Sequence, residues 1–135
     1  MQTEEVKAFK NELRNYNYYL HKAITLSEEI EECYDRLGGV RGIDPSKEPL
    51  HIAPNTEMEW RLRDQIEAYE AEKARYTAKA NEIIRILDRI ERPLRMAIKA
   101  VYADGQTVLK VSDWMYLSPS GLKRRMDNAI KKALG

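Results

Sequence analysis

TVLKVSDWMYLSPSGLKRRMDNAIKKAL, residues 107–134, contains two helix starts eleven residues apart. Thr107 and Ser118 each precede an amphipathic run, where a hydroxyl oxygen can accept a hydrogen bond from a free first-turn amide. Pro119 suits the first helical position, since that position has no intrahelical partner for the N–H that proline lacks. Val108, Val111, Trp114 and Met115 form the expected inner face of the first helix, and Leu122, Met126, Ala129, Ile130 and Leu134 that of the second. Tyr116-Leu117-Ser118 leaves room only for a tight connection. Ser112 is small where the two helices must approach closely, and Leu117 can plug the gap between them. The pattern predicts a helix-turn-helix.

Fixing the inner face also fixes the outer one. With Leu122, Met126 and Ile130 turned inward, Ser120, Lys123, Arg124 and Asn128 face outward near the start of the second helix. In a helix-turn-helix this end enters the major groove of double-stranded DNA. Arginine and lysine there can donate to guanine, and asparagine suits adenine. Ser118 and Ser120, with the amides of the first turn, are candidates for holding a phosphate. Arg125, Lys131 and Lys132 suit backbone phosphates, which give salt-dependent affinity without base choice. Lys131 and Lys132 are equally explained by the negative end of the helix dipole, whereas Lys123, Arg124 and Arg125 sit where positive charge opposes it. An anionic partner offsets that cost.

Upstream, residues 1–84 read as two long helices that form an association region. Thr3 caps the first, expected from about Thr3 to Leu37, with Glu4 and Glu5 favouring its start. Val6, Leu13, Leu20, Ser27 and Tyr34 recur every seven residues, and Phe9, Tyr16, Ala23, Ile30 and Leu37 do the same. Gly38-Gly39 is the expected stop. Residues 38–56, with three glycines and three prolines, read as a loop, parts of which (Val40, Ile43, Leu50, Ile52) are expected to fold back. The second helix starts at Thr56, where Thr56 and Glu59 match a capping box. Leu62, Tyr69, Tyr76, Ile83 and Ile90 line it, interleaved with Ile66, Ala80 and Leu87. Lys73 is the polar intruder, and its weakly apolar middle predicts looser packing. The seams suit an antiparallel, coiled-coil-like hairpin or a homodimer through the same helices. Pro93 marks a kink or a new first turn, and the following helix, through Met96, Ile98, Val101 and Tyr102, stops at Asp104-Gly105.

The composition agrees with an all-α fold: 43% hydrophobic and 33% charged, with eight tyrosines but no β-branched runs. The net charge of +1 conceals two unlike parts. Residues 1–84 carry 12 Lys/Arg against 17 Asp/Glu, and residues 85–135 carry 11 against 5. A polyanion therefore meets the C-terminal part. No stretch has the roughly 20 apolar residues of a membrane span, and MQTEEVKAFK lacks the apolar core of a secretory signal. A lone Cys33 suits a reducing cytoplasm. Two histidines, His21 and His51, and that cysteine assemble neither a nucleophile–base set nor a zinc site. No P-loop, GxGxxG or HExxH occurs. Glu28, Glu29, Glu31, Glu32 and Asp35 flank an apolar stripe and read as solvated, and Tyr16, Tyr18 and Tyr19 as packing between helices. No enzyme, cofactor, metal or membrane is expected.

Residues 81–134 resemble region 4 of bacterial sigma-70-type factors. The likeness lies in an initial helix, a second ending at Val101-Tyr102-Ala103-Asp104-Gly105, Thr107 opening the paired helices, and Ser118 at their turn. Trp114 and Tyr116 are bulkier than that pattern, and Met126 comes one position later than its usual apolar residue. As a whole the chain resembles phage-encoded late-gene activators of the ArpU/RinA type, with a helical region ahead of a sigma-region-4-like domain. The resemblance implies a DNA-binding transcriptional regulator in the cytoplasm of a bacterial host, with RNA polymerase as a second partner. A phage small terminase subunit, or an adaptor acting through its coiled coil, would share the layout.

Overall fold

The computed structural model describes residues 3–41 and 56–135. Every regular element among them is helical: α1 (Glu4–Arg14), α2 (Tyr16–Arg41), α3 (Thr56–Leu87), α4 (Leu94–Ile98) continued by a π-helical turn (Lys99–Ala103), α5 (Val108–Met115) and α6 (Pro119–Leu134). The all-α class expected from composition is thus the observed one. Most of the Gly/Pro-rich loop expected at 38–56, with the apolar residues expected to fold back, lies outside the described residues. The side chain of Thr56, and so its capping box, lies outside them too.

Three helix starts use the hydroxyls that mark them in the sequence. Thr3 Oγ1 accepts from the Val6 N–H at 3.3 Å, Thr107 Oγ1 from Lys110 at 3.1 Å and Ser118 Oγ from Gly121 at 3.1 Å. Each cap satisfies one of the amides that a helix start leaves without a partner.

The expected single helix from Thr3 to Leu37 is broken at Asn15. Its side-chain amide donates to the Asn11 carbonyl at 3.1 Å, beside its own N–H bonds to Asn11 and Glu12 at 3.3 and 3.1 Å. A short polar side chain that competes for backbone groups favours such an interruption. Tyr19 Oη, donating to Glu12 Oε2 at 2.9 Å, ties the two sides of the break together. The break shifts the seam. Val6 and Leu13 are buried as the seven-residue repeat requires, but Tyr19, Leu26 and Cys33 are then buried in place of Leu20, Ser27 and Tyr34. Buried positions 13, 16 and 19 follow one another by threes, a stammer that displaces one row by a residue. Nor does Gly38-Gly39 stop the helix, which runs on to Arg41. Glycine permits the left-handed stop without imposing it, and costs about 1 kcal/mol in a helix that continues.

The chain divides into two compact units. One comprises residues 1–20 and 78–135, the other residues 21–77. In the second, α2 and α3 pack through Cys33, Leu37, Leu62 and Ile66, with Ile30 and Tyr69 against them. Tyr69, Lys73 and Tyr76 are half-buried in mid-α3, where the sequence is least apolar.

In the first unit, α1 packs against α6 and the π-helical turn. Val6, Phe9 and Leu13 are buried there, so the start of the expected coiled-coil seam serves this unit. The boundaries of the compact units therefore differ from a division at residue 84. Lys10 is 3% exposed. Its Nζ pairs with Asp127 Oδ1 on α6 at 2.5 Å and lies 5.0 Å from the centre of the Tyr102 ring. Lys79 over Tyr19 and Lys99 over Tyr16 repeat the cation–ring arrangement at 5.2 and 5.9 Å. Asn17 Nδ2 donates to Ala103 O and Asp104 Oδ1 at 3.0 and 3.2 Å, tying the start of α2 to the end of the π-helical turn. Gly105 follows at φ 73°, a left-handed position that glycine takes without strain.

Candidate nucleic-acid interface

Helix α6 is held from below. Leu122, Met126 and Ile130 are fully buried, and Ala133 nearly so. Leu134, expected on the stripe, is half-buried. In α5, Val111 and Ser112 are buried, and the Ser112 hydroxyl donates to the Leu109 carbonyl at 2.7 Å. Trp114, expected inside, is 43% exposed. The reason is geometric. Val111 and Ser112 mark the buried face, and at about 100° per residue Trp114 falls about 60° beyond Val111 on the side away from Ser112, at the margin of that face.

All the residues expected to face a partner are exposed: Ser118, Ser120, Lys123, Arg124, Arg125, Asn128 and Lys131, with Lys132. They do not form one row. At about 100° per residue, Ser120, Arg124, Asn128 and Lys131 lie opposite the buried stripe. Lys123 lies on the flank that carries Asp127, the residue tied to Lys10 of α1. Arg125 lies on the other flank. The outward row thus presents a hydroxyl, a guanidinium fork, a carboxamide and an ammonium group. These suit acceptor-rich, anionic surfaces.

The electrostatics of α6 are one-sided. Arg36, Arg61, Arg63, Arg85 and Arg95 each face a carboxylate on a nearby turn. Lys123, Arg124, Arg125, Lys131 and Lys132 have no ion pair among the described residues, and the one acid of the helix, Asp127, is taken by Lys10. At the far end, Arg89 Nη1 donates to the Ala133 carbonyl at 2.8 Å. That last-turn carbonyl therefore already has a cationic partner other than Lys131 and Lys132. In the first turn, Gly121 and Leu122 donate to Ser118 Oγ and Ser118 O at 3.1 and 2.8 Å, and Pro119 has no N–H. The Ser120 amide has no such bond among the described residues.

Charge follows the compact units. Residues 1–20 and 78–135 hold 15 Lys/Arg against 9 Asp/Glu, and residues 21–77 hold 8 against 13. No three His, Cys, Asp or Glu side chains among the described residues come together as a metal-holding group. No described helix is long and apolar enough to cross a membrane.

Two features of this surface escape the sequence pattern. The Lys10–Asp127 pair joins residues far apart in the chain; its only sequence trace is a lone acid inside KRRMDNAIKK and a lone cation between Phe9 and Leu13. The other is Tyr116, which ends α5 in the left-handed conformation, at φ 56° and ψ 40°. Its side chain is 94% exposed. Compared with models of known protein families, with curated proteins and with solved structures, the chain matches none.

Proposed function

We propose that this chain is a sequence-specific, double-stranded-DNA-binding regulator of transcription, with α5 and α6 acting as a helix-turn-helix. The observation that carries the reading is the row Ser120, Arg124, Asn128 and Lys131. It is exposed on a helix whose opposite face is fully buried, and its two cations are unpaired among the described residues. A helix fixed from below and free above can be laid into a groove as a rigid body. Arg124 and Asn128 then read base edges, while Ser118, Ser120, Lys123, Arg125 and Lys131 hold phosphates and set the register.

The particular role proposed is that of a phage or prophage late-gene activator, acting in the cytoplasm of a bacterial host with RNA polymerase as its protein partner. Support for this role comes from the sigma-region-4-like layout of residues 81–134. The acidic unit formed by residues 21–77 is repelled by DNA and is assigned to self-association, as a homodimer, or to binding polymerase. The reading is non-catalytic and needs no cofactor or metal.

The test is selection of duplexes from a random pool by the purified full chain, followed by titration of the enriched site at several salt concentrations. Arg124→Ala and Asn128→Ala should each lower affinity for that site by about 1–3 kcal/mol and relax the choice of base beneath them. Absence of enrichment at moderate salt overturns DNA binding and leaves the coiled-coil adaptor. A ring-sized mass in solution, with binding intact, points to a terminase subunit instead.

A further inference from the structure

The Tyr116 side chain stands almost wholly outside the packing of the described residues. Its backbone lies in the left-handed region at φ 56°, where glycine fits and a tyrosine is strained. Its ring is 94% exposed, and it has no hydrogen bond or ring contact among the described residues. The N–H, by contrast, is used, donating to Asp113 O at 3.3 Å. The turn therefore needs this backbone conformation but not this side chain. Strain held at an exposed position is a feature of sites that act on a partner.

The location says which partner. Tyr116 stands two residues before Ser118, the cap of α6, at the end of that helix nearest Ser120 and Arg124. When that end of α6 lies in a groove, the turn before it faces the sugar–phosphate strand at the groove's edge. A phenol suits that strand: the hydroxyl donates to a phosphate oxygen and the ring covers the deoxyribose. We infer that Tyr116 is a DNA-backbone contact, a neutral clamp that fixes the register of α6 on the duplex. The inference rests on the DNA-binding reading above. It adds a residue that charge and cap patterns do not mark.

The experiment compares Tyr116→Gly and Tyr116→Phe with the parent chain, in thermal unfolding and in titration against the selected duplex. Tyr116→Gly relieves the backbone and gives up no packing, so Tm should rise by about 4 °C or more. The same variant should bind the duplex roughly tenfold more weakly. Tyr116→Phe keeps the strain and removes only the hydroxyl. Its Tm should stay unchanged while affinity falls roughly three- to tenfold. The salt dependence of binding should not alter in either variant, because no counterion-releasing charge is removed. Stability and binding thus move in opposite directions, which a purely structural tyrosine would not produce. Equal affinities for parent and both variants overturn the inference while leaving DNA binding in place. Failure of the parent itself to bind any duplex defeats the function and the inference together.

Discussion

Lys10 is a cation almost out of water, and its position depends on Asp127. The two side chains are 4% and 26% exposed, so neither is a surface charge that salt would screen away. Removing one partner leaves the other desolvated and alone, which is more costly than the pair is stabilising. Asp127→Ala should therefore destabilise the chain by about 2–3 kcal/mol, near the lower end for buried pairs since Asp127 is partly open to water. Replacing both residues, as Lys10→Met with Asp127→Leu, should recover most of that loss. Urea denaturation of the single and double variants measures the difference. A double variant no more stable than Asp127→Ala would show that the pair contributes by some other route.

Among the elements, α6 illustrates how closely its first turn is built. A Cβ on Gly121 would come within 2.8 Å of Ser118 Oγ, the atom that caps the helix. Alanine is the better helix former by about 1 kcal/mol, but displacing the cap costs about 1 kcal/mol. Gly121→Ala should thus be close to neutral in the parent chain. In a Ser118→Ala background, where no cap remains to displace, the same change should stabilise by up to about 1 kcal/mol. A double-mutant cycle reads this coupling.

Helix α1 supports the same element from its inner side. Phe9→Ala, at a residue 5% exposed, should cost about 3–5 kcal/mol. Because α1 packs on α6, the substitution should broaden or abolish cooperative unfolding of the C-terminal helices. For the same reason, residues 78–135 made without residues 1–20 should fail to unfold cooperatively. A sharp, parent-like transition in that fragment would show that α1 is dispensable.

For the molecule as a whole, the division of charge sets the conditions under which the proposed binding would occur. The unit formed by residues 1–20 and 78–135 has an excess of cations, and the unit formed by residues 21–77 an excess of anions. On the proposed reading, binding to DNA should accordingly fall steeply with salt. Removing one cation that neutralises a phosphate should reduce the slope of log affinity against log salt by about 0.9. Arg125→Ala and Lys131→Ala should each show that reduction, and weaken specific and non-specific duplexes alike. A slope unaltered in both would place the phosphate-binding groups elsewhere on the unit.

What the sequence by itself determined was local: the helical class, the caps at Thr3, Thr107 and Ser118, and the turn of α6 that hides Leu122 and exposes Arg124. Such features depend on residues three or four apart, which a linear pattern records directly. The tertiary structure decided what each apolar face meets. A seven-residue repeat through Val6 and Leu13 does not say that its partner is α6. The bond that fixes that pairing joins residues 117 positions apart. The break at Asn15 redirected the seam because one side-chain amide there competes for a backbone carbonyl. The strained turn at Tyr116 likewise follows from how α5 must end for α6 to begin where it does. Residue type alone would have argued against it.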